Sequence, residues 1–160
     1  MPEISGVTEN LSDKKKEVFL DISSLLTGFT RIELEATGMS DFYYITICEV
    51  CNAENLDYFL MKSQAILLDS CGDLETANAS IALNLIPDGN YDAIAKRIIL
   101  LWYTGMWFTD LSNLYNATSF LSADSYQQGL VWKIIGSHPP GGKQPGYGSW
   151  AYLPIDVQSH

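Results

Sequence analysis

Up to Gly136, apolar positions recur mostly at three- and four-residue intervals, the spacing that places side chains on one face of a helix. Val18, Phe19, Ile22, Leu25, Leu26 and Phe29 mark the first such face. Ser12 suits an N-cap, Asp13 puts a carboxylate in the first turn, and Gly28 is a natural stop, so the pattern predicts a helix from about Ser12 to Thr27. Residues 1–11 are expected to form a flexible N-terminus. Between Thr30 and Gly38, Ile32, Leu34 and Ala36 alternate with Glu33 and Glu35, which fits a short strand, an ordered loop or a short helix. Helical spacing resumes at Ser40 or Asp41 and runs through Phe42, Ile45 and Cys48.

Leu56, Phe59, Leu60, Ile66 and Leu67 predict a further helix from Glu54 to Ser70, ended by Gly72. The Ala-rich segment 73–85 is a weaker helical stretch. Pro87-Asp88-Gly89-Asn90 signals a turn, with Asn90 placed to cap a helix from Tyr91 to Thr104 whose stripe is Ile94, Ile98, Leu101 and Trp102. After Gly105 comes a looser segment with Trp107, Phe108, Leu111, Leu114 and Tyr115; Ser122 then opens a last helix, Ala123 to Ile135. The expected fold is all-α: one domain over 1–160, a compact helical bundle of about five to six helices across 12–136, and an extended C-terminal arm over 137–160. The arm holds Pro139, Pro140, Pro145 and Pro154, four of the six prolines, together with Tyr147, Trp150, Tyr152, Leu153 and Ile155. Large apolar anchors in a Pro/Gly-rich segment point to packing on the chain's own helices or on a partner, not to a disordered linker.

Composition agrees with a folded core, at 47% hydrophobic and only 18% charged residues. A net charge of −10 argues against nucleic acid, where binding rests on cations that neutralise phosphates. Lys14, Lys15 and Lys16 are the one basic cluster and read as a solvated helix face. No apolar run approaches the length of a membrane span, the longest being Ile98 to Tyr103. No export signal is legible before Ser12. The chain as written is expected in the cytoplasm, or in the periplasm if an export signal has been removed or belongs to a partner.

Candidate chemistry is sparse. Cys48 and Cys51 form a CxxC at the trailing end of a helical pattern, opposite to the end where a helix dipole lowers a thiol pKa. Cys71, His138 and His160 do not complete a compact zinc set with them, so apolar core cysteines are the expectation. Glu33 with Glu35, and Asp69 with Asp73, have no apolar setting that would raise a carboxyl pKa. The stretch Pro139 to Gly146 lacks phosphate-loop spacing. No catalytic residue, cofactor-binding residue or metal ligand is assigned to this chain.

Three motifs stand in order in the second half: Ile98-Ile-Leu-Leu-Trp-Tyr-Thr-Gly105, Ser125-Tyr-Gln-Gln-Gly-Leu-Val-Trp132 and Pro145-Gly-Tyr-Gly-Ser-Trp-Ala-Tyr-Leu-Pro154. With Leu25-Leu-Thr-Gly-Phe29, they resemble the small subunit of membrane-bound FAD-dependent sorbitol, fructose and glucoside dehydrogenases. That resemblance implies a non-catalytic, chaperone-like accessory subunit that binds and stabilises a large FAD-dependent (GMC-type) sugar or polyol dehydrogenase subunit. It places FAD in that partner and allows a cytochrome subunit as electron outlet. Small subunits of that kind commonly supply a twin-arginine export signal, and this sequence departs from them there. The partner interface it suggests comprises Trp102, Tyr103, Trp107, Tyr126, Trp132, Pro145, Tyr147, Trp150 and Pro154. The alternative is a stand-alone helical interaction protein, homodimeric in one version, with no flavoprotein partner.

Overall fold

The structure is a computed structural model and describes residues 4–113 and 120–142, with backbone alone for 4–11. Among the described residues the chain is all-α. Its helices are α1 (Ile4–Thr27), α2 (Arg31–Ala36), α3 (Ser40–Val50), α4 (Ala53–Asp69), α5 (Leu74–Asn84), α6 (Gly89–Thr104), α7 (Ala123–Gln128) and α8 (Val131–Ile134). Contacts group the chain into two compact units, residues 1–99 and 100–160. The helix α6 supplies residues to both.

In the first unit, α1 packs against α2, α3, α4 and α5. Its helix begins at Ile4, upstream of the expected start, so Ser12 lies inside the helix instead of capping it. Once a helical nucleus exists, each added residue gains a hydrogen bond at little further cost, and no proline interrupts residues 4–12. Lys15 and Lys16 therefore sit well within α1. Lys15 pairs with Asp57 of α4 at 2.6 Å, and Lys16 pairs with Asp41 of α3. These pairs link helices, where a solvated face was expected.

The stretch after Gly28 is helix, not strand. Thr30 and Glu33 form a capping box: the Glu33 amide donates to the Thr30 hydroxyl at 3.3 Å, and the Thr30 amide donates to the Glu33 carboxylate at 2.9 Å. Arg31 then ties α2 to α1 through Asp21 at 3.1 Å and Glu17, and bonds Glu35 one turn along α2 at 2.9 Å.

Helix α3 forms where expected but buries a different face. Tyr43, Tyr44 and Ile47 are inside, while Phe42, Ile45 and Cys48 are exposed. Both sets have helical spacing; the tyrosine face contributes the larger apolar area to the core. Helices α4 and α5 are capped by Asn52 and Asp73, whose side chains accept from the amides of Asn55 and Thr76. Asp88, not Asn90, takes the position at the start of α6: its carboxylate accepts from the Asn90 amide at 3.1 Å and its carbonyl from Asp92 at 2.8 Å. Ile94, Ile98, Leu101 and Trp102 are all buried, as the periodicity requires. Among the described residues no helix is long and apolar enough to cross a membrane.

Candidate partner interface

The second unit is organised around two glycines. Gly105 ends α6 with φ of +70°, and a Cβ built there would lie 2.2 Å from the carbonyl oxygen of Ser125. Only glycine relieves both the left-handed backbone and the close approach. The buried Ser125 hydroxyl donates to the Gly105 carbonyl at 3.0 Å, and the Leu121 amide donates to the same oxygen at 3.1 Å. An antiparallel bridge between Met106 and Phe120 adds to this junction.

Gly129 breaks the helix expected to run unbroken from Ala123 to Ile135. Its ψ of 129° is extended, and the Leu130 amide leaves the helical ladder to donate to the Trp102 carbonyl at 3.0 Å. A Cβ at Gly129 would stand 2.8 Å from the Tyr103 carbonyl oxygen. The helix yields because docking on the end of α6 brings two backbones closer than a side chain permits. The result is α7, capped by a Ser122–Ser125 box, followed by the short α8.

Tyr126 gathers the aromatic residues on this frame. Its ring meets Phe120 edge-on at 4.6 Å and Trp132 edge-on at 5.3 Å between centroids. Its hydroxyl donates to the Pro140 carbonyl at 3.0 Å, and the Trp132 indole N–H donates to the Tyr126 carbonyl at 2.7 Å. Phe120, Ser122, Ala123, Tyr126 and Pro140 line an open groove. Phe120 (43% exposed), Ile134 (56%) and Ile135 (59%) add apolar surface to this unit.

The expected interface residues divide accordingly. Trp102 and Trp107 are buried and belong to the core of the chain. Tyr103, Tyr126 and Trp132 are half-buried, and Tyr126 and Trp132 are brought together. Pro145, Tyr147, Trp150 and Pro154 lie outside the described residues. Phe120, Ile134, Ile135 and Pro140 were not anticipated. Ile134 and Ile135 stand at the end of the helix expected from Ala123 to Ile135, which Gly129 breaks, and Phe120 lies in a segment without periodicity.

The cysteines differ from the expected apolar core residues: Cys48 and Cys71 are exposed and Cys51 is half-buried, all as free thiols. Cys48 lies in the last turn of α3 and Cys51 is its C-cap. There the dipole opposes a thiolate. Local burial pushes the Cys48 thiol up, against the smaller opposing effects of the Tyr44 hydroxyl and Lys15. Burial likewise pushes Cys51 up, partly offset by Arg97. Cys48 lines a second groove with Ser12, Lys15, Tyr44 and Asp57. Lys15 is neutralised there by Asp57, and burial holds the Tyr44 phenol up at about 12, so at neutral pH the phenol and the thiol both keep their protons. Among the described residues, no three His, Cys, Asp or Glu side chains are grouped to hold a metal ion.

No family model, curated protein or solved structure matches the chain.

Proposed function

We propose that the chain is an accessory subunit that binds and stabilises a large FAD-dependent sugar or polyol dehydrogenase through the second unit. The observation carrying this reading is the half-exposed cluster of Phe120, Tyr126 and Trp132, held on a backbone junction that two glycines lock in place. Aromatic anchors on a pre-ordered frame lose little conformational entropy when they are buried by a partner. The three ordered motifs of the second half supply the partner class, with FAD in the partner.

The test is co-expression with a large FAD-dependent (GMC-type) oxidoreductase from the same genome. The large chain is expected to be poorly soluble or inactive alone, and to co-purify with this chain as a flavin-containing, polyol-oxidising complex. Replacing Trp132 by Ala should weaken the complex by about 2 kcal/mol, as loss of an interface anchor does. Full activity of the large chain expressed alone would overturn the reading.

A further inference from the structure

Helix α4 is apolar on two sides. Leu56, Phe59, Leu60 and Ile66 are buried. On another side Tyr58, Met61, Ala65 and Leu68 follow one another at three-, four- and three-residue steps, and all four are exposed, Met61 by 57% and Leu68 by 69%. A helix with this spacing presents the a and d positions of a coiled-coil seam, so the surface is shaped for a second helix. The stripe from Tyr58 to Leu68 is about 15 Å long, or roughly three turns.

Charge selects the occupant. Exposed Glu54 and Asp69 close the two ends of the stripe, and Asp57 flanks it. Of the cations nearby, Lys15 is already paired with Asp57 at 2.6 Å, and Lys62 is drawn over the Tyr91 ring at 5.1 Å. From residue 63 to residue 95 the chain carries Asp69, Asp73, Glu75, Asp88 and Asp92 and no lysine or arginine. A second copy is disfavoured, because it brings the same acidic ends and the same net charge of −10 to the seam. We infer that the exposed face of α4 docks a basic amphipathic helix of a partner protein, with its apolar residues on Tyr58, Met61, Ala65 and Leu68 and its Lys or Arg residues beside Glu54 and Asp69. This surface lies in the first unit and is independent of the flavoprotein reading.

The experiment uses the full chain and a labelled helical peptide of about three to four turns with leucines at three- and four-residue spacing and flanking lysines. Two control peptides have the same composition in scrambled order, or glutamates in place of the lysines. Anisotropy titration should show saturable binding of the lysine peptide and at least about tenfold weaker binding of both controls. The double variant Met61→Gln/Leu68→Gln changes only exposed side chains and should weaken the lysine peptide at least about tenfold while its circular dichroism is unchanged. Equal binding of the scrambled peptide, equal binding to the variant, or no binding would overturn the inference. So would sedimentation showing that the chain dimerises and that the double variant does not.

Discussion

At the scale of single residues, backbone conformation and close approach separate glycines that look alike in sequence. Gly105 and Gly38 both have φ near +70°, but a Cβ at Gly38 meets nothing within 4 Å. Gly38→Ala should cost about 1–2 kcal/mol from the left-handed backbone alone. Gly105→Ala must also push the Ser125 carbonyl aside and should cost at least about 1 kcal/mol more. Urea unfolding of the two variants decides this; equal losses would mean the junction gives way freely. Tyr44 supplies a pH prediction. Its phenol is raised in the folded chain from 10.0 to about 12 by burial, then by Cys48. The unfolded state therefore releases its proton first, so stability is complete below pH 10 and falls as pH rises towards about 12. Tyr44→Phe should flatten that decline in a series of denaturation midpoints. Tyr43 is raised in the same direction by burial, so some decline should persist.

At the scale of elements, α2 is too short to be stable by propensity and depends on its cap and on Arg31. Thr30→Ala removes the capping box and should cost about 1 kcal/mol. Arg31→Ala removes three carboxylate contacts, but the side chain is about a third exposed and screened by solvent, so the loss should be about 1 kcal/mol. High salt should shrink the Arg31 effect and leave the Thr30 effect nearly unchanged, since only the former rests on ion pairs. Thermal melts at two salt concentrations would show whether the two losses separate in this way. Much at this scale was legible in the chain: α1, α3, α4 and α6 follow its periodicity, and Ser122 caps α7 as its hydroxyl suggested. The Thr30–Glu33 pair carried a readable cap signal that the alternation of apolar residues obscured.

At the scale of the whole molecule, the four tryptophans are at residues 102, 107, 132 and 150, and the three described ones lie in the second unit. Tryptophan fluorescence therefore reports that unit, whereas circular dichroism reports helices of both. Helix α6 is continuous from Gly89 to Thr104, with Ile98 and Leu101 both buried. Phe59→Ala in the first unit should cost about 3–5 kcal/mol and lower the dichroism midpoint in urea. A dichroism midpoint that stays in place would show that Phe59 does not carry this packing.

The sequence by itself determined the all-α class, the positions of the longer helices and most of their stops. These follow from contacts between residues three and four apart and from local backbone preferences, which a linear pattern records. Tertiary structure alone decided which of two apolar faces of α3 turns inward. It also decided that Trp102 and Trp107 are core, that Gly129 breaks the last helix, and that Phe120, Tyr126 and Trp132 meet. Each of those outcomes depends on a neighbour distant in the chain: the carbonyls at the end of α6 set the break at Gly129, and burial goes to whichever face finds a complementary surface. Periodicity shows that α4 is apolar along its length, and only the packed structure shows that one of its faces is left open among the described residues.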